Sequence, residues 1–389
     1  MGHFEKKGVY ITGIGQMKVE KSSPLSLREM GAKAIQLAMK DASINRVDAL
    51  YTGNMLSGML SHQQQLAPIV AAEAGLTGIE AVTVEAACGS GGAALRNGVM
   101  SILSGMCDTV VVCGLEKMSH PDKAFITQSI ATASDWEIEG GKGESFVTLN
   151  AKLAQLYLDT YHLSPDCFAQ FGINAHRNAA TNPNAVFQKE ISLSDYLKAK
   201  VIADPLRLYD ASPICDGSAA VILSRYPPDN TSRPTVKIIA STASSEAVGI
   251  DRRKNPLAAE GIERSGKKAL EISGVSLDEI GFFELHDAYS IIAILSLEAM
   301  GFAPKGQGWK LAEEGTIKRE GKLPVSTLGG LKARGHPIGA SGVYQAVEAF
   351  MQLTGAAGAN QIKNESNIGL IQSIGGTAST VITHVLVRE

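Results

Sequence analysis

An α/β protein built from two similar halves is what this sequence predicts, on three observations. Short apolar runs bounded by glycine alternate with amphipathic helical segments, the order from which sheets with helices on their faces are made. The same order returns in the second half of the chain. Of the 389 residues 44% are hydrophobic, enough for a large buried core and too many for disorder.

GVYITGIG (8–15) reads as an apolar strand closed by a glycine turn. Gly13 and Gly15 do not complete a dinucleotide-binding GxGxxG, because Lys18 stands where the third glycine belongs. Residues 26–42 place Leu27, Met30, Ala34 and Leu37 at helical spacing, and VDALYTGNML from Val47 reads as a strand entering a loop. PTVKIIASTAS (234–244) matches the opening strand, and 264–289 parallels 29–56 as helix, acidic connector and apolar strand. Two packed halves, 1–230 and 231–389, are expected from this. The segment 116–205, rich in Asn, Gln and Ser with a helical run at 146–161, reads as an insertion built over the first half. Within it GGKGES (140–145) lacks the Gly-Lys-Ser/Thr order of a Walker A loop and reads as a mobile surface loop.

Lys and Arg number 36 against 39 Asp and Glu, a net charge of −3 without a long basic run, which speaks against nucleic-acid binding. No apolar run reaches the roughly 18 residues of a membrane span. MGHFEKKGVY has the layout of neither a signal peptide nor a myristoylation site. Five cysteines without a CxxC pair point to free thiols, no metal cluster and a reducing, cytoplasmic compartment.

The chemistry concentrates in four places. In VTVEAACGSGGAALRNGVMSILSG (82–105), Cys88 stands between a β-type run and a helix with Leu95, Val99, Ile102 and Leu103 on its core face. A thiol at a helix N-terminus is expected to have a lowered pKa, and the following glycines let backbone amides approach a ligand. A small cysteine buried between packed helices fits the same residues, as it does for Cys107 and Cys113 in or near DTVVVCG. In TLGGLKARGHPIGASGVYQAVEAFMQL (327–353), His336 precedes a helix with Val343, Ala346, Val347 and Phe350 on one face. Its dipole favours the neutral imidazole that accepts a proton from a thiol; a loop histidine capping a turn is the plainer reading. His286-Asp287 follows an apolar strand, and Gly375-Gly376 lie between two strands where an amide can face an oxyanion or merely make a hairpin.

ACGSG around Cys88, CGLEKMS (113–119), DASPICDGSAA (210–220), HDAY (286–289), GHPIGASG (335–342) and SIGG (373–376) together resemble the thiolase family over essentially the whole chain. HDAY is similar to the sterol-carrier-protein-type and archaeal branches. The resemblance implies a five-layered αβαβα fold of two similar halves with an inserted loop domain. It implies acetyl-CoA or another acyl-CoA as substrate, no external cofactor, and a homodimer or homotetramer. Cys88 matches the acylated nucleophile, and His336 the histidine that activates it and contributes to one oxyanion hole. His286 matches the second donor of that hole, and the amides of Cys88 and Gly375 the other hole. Ser212 matches a residue that touches the pantetheine arm.

Relatives of the archaeal type work beside a hydroxymethylglutaryl-CoA synthase and a small zinc-ribbon/OB-fold protein, which makes both expected partners. The family's second catalytic cysteine falls at Ser373 or, in the HD-type branch, at Ala288, and neither is a thiol here. His336, His286, Tyr289 or Cys215 is then left to carry the proton. The alternatives are a thiolase-fold enzyme of another reaction class, such as acyl transfer to a non-CoA acceptor or an aldol cleavage, and a non-catalytic acyl-CoA-binding subunit.

Overall fold

The computed structural model describes residues 8–228, 233–364 and 366–389, so the expected junction at 230/231 lies outside the described residues. The first part runs β1 (Tyr10–Gln16), α1 (Leu27–Asp41), β2 (Ala49–Gly53), the single turn α2 (Ser57–Leu60), α3 (Leu66–Glu73), β3 (Glu80–Val84), α4 (Ser90–Ser104) and β4 (Thr109–Glu116). Four helices follow, α5 (Lys123–Ala131), α6 (Phe146–Tyr161), α7 (Ala169–Ala179) and α8 (Leu193–Lys198). A short ribbon of β5 (Val201–Ala203) and β6 (Leu206–Arg207) leads to β7 (Gly217–Ser224). The rest comprises β8 (Val236–Ser245), α9 (Glu260–Ser273), β9 (Phe282–Glu284), α10 (Ser290–Ala299), α11 (Gly308–Glu313), α12 (Ser341–Thr354), β10 (Ile368–Gly375) and β11 (Thr380–Arg388).

Nine strands form one sheet in the order β3-β2-β4-β7-β1-β8-β11-β10-β9. Only the pairs Tyr10–Lys237 and Ile11–Val236 join β1 to β8, so the sheet divides there into two half-sheets. Counted outward from that joint, β1-β7-β4-β2-β3 is repeated as β8-β11-β10-β9, with a lone parallel bridge from Phe283 to Val325 standing where β3 stands. β9 runs parallel to β10 as β2 does to β4. The duplication expected from 29–56 and 264–289 is therefore real at the level of α1–β2 and α9–β9.

α1 and α3 cover the outer face of the first half-sheet, and α9, with α10 beside it, covers that of the second. Between the half-sheets α4 and α12 lie against each other, completing five layers. The apolar runs are explained by burial on both faces. In β4, Val110 and Val112 face the central helices, while Val111, Cys113 and Leu115 face α1 and α3. A central position also explains why α12 is buried on every side, Gln345, Glu348 and Gln352 included, rather than on the single face its apolar residues suggested.

Three expectations need correction. β1 continues through both of its glycines; a Cβ at Gly15 would meet the Ala34 carbonyl at 2.3 Å and one at Gly13 the Ala38 carbonyl at 2.5 Å. Their function is to let α1 lie on the backbone of β1, not to make a turn. Leu37 and Leu103, placed on core faces by spacing, are 46% and 68% exposed, because Ile35 and Ala38 in α1 and Leu95, Val99 and Ile102 in α4 already fill the buried stripes. Finally, α6 and α7 of the insertion pack on the second half, while α5 lies against α2 of the first. Leu149, Leu153 and Tyr157 of α6 and Phe171 of α7 share one core with Ile291, Ile294 and Leu295 of α10, and the Tyr157 hydroxyl donates to Glu298 at 2.6 Å. α10 is buried on every side and so is covered on its outer side too. GGKGES holds a short 3-10 turn over Gly140–Lys142.

Candidate active site

The chain leaves β3 and reaches Cys88 through Ala87, which sits in the left-handed region at φ 51. Such a conformation costs a non-glycine residue of order 1 kcal/mol or more, and it is over-determined here. The Ser90 hydroxyl donates to the Ala87 carbonyl at 2.6 Å and accepts the Ala86 amide at 2.9 Å. Gly89 caps α4, so the thiol precedes the first turn as expected. Its ionisation is not as expected. Burial, and then the Glu116 carboxylate, push the Cys88 thiol up to about 12, against the opposing pull of its own amide and that of Gly376. A helix end stabilises an anion by at most about 2 kcal/mol, less than the cost of burying a thiolate. Cys88 rests as a thiol.

His286 follows β9 and His336 follows a buried turn at Gly330–Arg334; their rings meet edge to face at 5.1 Å between centroids. Burial, with Arg334 behind, lowers His286 to about 3. Burial, His286 and Arg334 hold His336 well below the usual histidine range, so both rings are neutral and the helix dipole is not the main cause.

A backbone amide fixes the tautomer of His286, and a hydroxyl beside His336 accommodates the opposite one. The Ile374 amide donates to His286 Nδ1 at 3.3 Å, which leaves the proton on Nε2. The Ser341 oxygen lies 2.7 Å from His336 Nδ1 and 3.1 Å from the Pro337 carbonyl; with its hydrogen given to the carbonyl it accepts from Nδ1–H, the tautomer in which Nε2 is a lone pair. That nitrogen is buried without a hydrogen-bond partner among the described residues.

Cys88, His286 and His336 each offer an atom within 4.8 Å of the others, and all three line one cavity of about 70 Å³. Such a trio from three distant segments escaped a search for metal-ligand spacing, and its donor types suit zinc. The fit fails at His286, whose cavity-facing nitrogen carries hydrogen; the arrangement is acid–base rather than ligating. The cavity shares Ile130, Phe146, Ser212, Pro213, Ile214 and Tyr289 with a groove of about 880 Å³, so the thiol is reachable although 7% exposed. Ser212 sits at that junction.

Gly375 ends β10, its carbonyl taken by the Ser379 amide at 3.1 Å; the next residue, Gly376, turned by φ +64, lines the cavity and points its amide at the thiol. Of the two glycines, Gly376 lines the cavity and Gly375 does not. Ser373 is buried, donates to Gln345 at 2.9 Å and does not line the cavity, whereas Ala288 does. Cys215 is enclosed behind His336, accepting its amide at 3.1 Å.

Three residues were missed or underweighted by sequence reasoning. Glu116 accepts from Asn54 Nδ2 and from the Met55, Leu56 and Gly339 amides, tying the loop after β2 to that before α12; burial raises it to about 7. A lone carboxylate closing the apolar run TVVVCGLE was its signal. Asn150 lines the cavity with an Oδ1 that has no partner among the described residues, and Ser341 carried no signal beyond its place in GHPIGASG.

A duplicated αβαβα fold that sets a buried thiol and two neutral imidazoles at the end of a groove defines a class of acyl-transferring enzymes. The thiolase N-terminal domain matches residues 8–226 and the thiolase C-terminal domain-like family matches 242–388. The chain belongs to the thiolase family. It is 38% identical to an acetyl-CoA acetyltransferase of Methanothermobacter thermautotrophicus over 98% of this chain and 100% of the relative. Identity to an acetyl-CoA acetyltransferase of Methanocaldococcus jannaschii is 32%, over 98% and 99%. Among solved structures an Ltp2-ChsH2(DUF35) aldolase superposes with a TM-score of 0.85 over 98% of each chain, at 22% identity, which speaks to fold alone. No helix among the described residues is long and apolar enough to cross a membrane.

Proposed function

We propose that this chain is an acetyl-CoA C-acetyltransferase, joining two acetyl-CoA into acetoacetyl-CoA and CoA, or running the reverse thiolysis, through an acetyl thioester on Cys88. The observation that carries this reading is the cavity shared by Cys88, His286 and His336 at the end of a long groove. The groove suits a pantetheine arm passing Ser212, and the small cavity suits an acetyl group. His336 Nε2 takes the thiol proton as sulfur attacks, which a thiol of high pKa requires. The amides of Cys88 and Gly376 hold the tetrahedral oxyanion, and His286 Nε2–H holds the enolate of the incoming thioester. These residues close the cycle without an external cofactor.

Condensation is uphill, so a synthetic role needs a consumer such as a hydroxymethylglutaryl-CoA synthase in the cytoplasm. The DUF35 partner printed for the structural neighbour supports a zinc-ribbon/OB-fold partner for this chain. β3 is an unpaired sheet edge with Val82 42% exposed, which supports a homodimer or a tetramer built from it; sedimentation as a monomer at micromolar concentration would refute this.

The purified chain, given acetoacetyl-CoA and CoA, is expected to consume the enolate absorbance. Turnover only with a β-hydroxyacyl-CoA would instead establish aldol cleavage, and activity with neither would leave a binding subunit.

A further inference from the structure

We propose that His336, oriented by Ser341, is the single base of both half-reactions, so that this chain works without a second thiol. The inference rests on the acetyltransferase reading above. Four titratable side chains line the cavity: Cys88, His286, His336 and Tyr289. Three of them cannot serve as the second base. Cys88 carries the acetyl group at that stage. His286 receives the Ile374 amide on Nδ1 and turns an N–H into the cavity. Burial keeps the Tyr289 phenol protonated. The places where a second cysteine would sit hold Ser373, which faces Gln345 outside the cavity, and the methyl of Ala288. The lone pair that remains is His336 Nε2, buried and unpartnered among the described residues. Ser341 provides for this: with its hydroxyl hydrogen given to the Pro337 carbonyl, 3.1 Å away, its oxygen accepts from Nδ1–H at 2.7 Å and Nε2 stays bare.

The steps balance on one proton carrier. In acylation, His336 takes the Sγ proton, sulfur bonds to the acetyl carbon, the bond to CoA sulfur breaks, and CoA thiolate takes the proton from His336. In condensation, the restored Nε2 takes a proton from Cα of a second acetyl-CoA, and the C–H electron pair moves into an enolate whose oxygen His286 Nε2–H holds. The enolate carbon bonds to the acetyl carbon on Cys88, the bond to Sγ breaks, and Sγ takes the proton back from His336.

Two rates test this: acetylation of Cys88 by acetyl-CoA, read by rapid-quench mass spectrometry, and deuterium entry at Cα of acetyl-CoA in heavy water, read by NMR. Ser341→Ala is expected to slow both by the same factor, about tenfold or more, the loss of one orienting hydrogen bond, and Ser341→Thr to restore both. Slowed acetylation with unchanged exchange would mean a separate base, and two unchanged rates would mean Ser341 positions nothing; either overturns the proposal. If Ser341→Ala is unfolded by circular dichroism, His336→Asn carries the comparison: both steps lost supports a single base, and retained exchange refutes it. A wild-type chain that acetylates nothing refutes the function as well, whereas unequal rates in an active enzyme refute only the single base.

Discussion

Cys88 and the two histidines show how far residue-level reasoning reaches. Their types and neighbours in sequence were enough to single them out, but not to give their protonation states, which depend on burial by segments far away in the chain. The same burial has a cost in acid. His286 is lowered to about 3 and His336 well below its ordinary value, against about 6.5 in the unfolded chain. A folded-state pKa below the unfolded one gives stability that is complete above pH 6.5 and is lost as pH falls toward 3. Each such group contributes a slope of about 1.4 kcal/mol per pH unit. Buried Glu116 and Glu284, raised to about 7 and about 8, act in the opposite direction, so the test is a difference. Between pH 7 and pH 5, in urea midpoints, His286→Asn is expected to differ from the wild type in its slope of stability by one proton's worth, losing less as pH falls. An unchanged slope in the variant would mean that His286 is not a buried neutral ring. The hydrogen-bond partners of the two rings were not legible in sequence, since Ile374 and Ser341 meet them only through the fold.

At the scale of elements, the glycines were legible and their reason was not. Those after Cys88 read as room for a ligand, yet several are where α4 meets the segment entering α12. A Cβ at Gly342 would lie 2.3 Å from the Gly92 amide nitrogen and 2.6 Å from the Ser373 hydroxyl, and one at Gly91 would lie 2.8 Å from the Gly339 carbonyl. This contact brings the Cys88 end of one helix to the His336 end of the other. Gly342→Ala is expected to cost about 1–3 kcal/mol by overpacking and to lower turnover more than tenfold, because the helix ends must part. Thermal melts together with thiolysis rates check this; full activity in a destabilised variant would separate packing from the site. Strand and helix order followed from periodicity because apolar runs and stripes are local. The faces that α1 and α4 bury were partly misread, since Leu37 and Leu103 satisfy the spacing as well as the residues that are buried.

For the whole molecule, duplication is what makes the site. Equivalent helices of two half-sheets meet in the middle layer, so that one half supplies the sulfur and the other both imidazoles, across a sheet joined by two residue pairs. The repeat was visible in the sequence because each half needs the same alternation. The placement of the insertion was not, since an apolar face alone does not say which half it covers. The account stands on the thiol accepting an acyl group at that meeting point. Peptide mass spectrometry after incubation with acetyl-CoA tests it directly: the peptide containing Cys88 is predicted to carry one acetyl group, lost on adding CoA and absent in Cys88→Ala. An unmodified Cys88, or acetyl found on another cysteine, would contradict it.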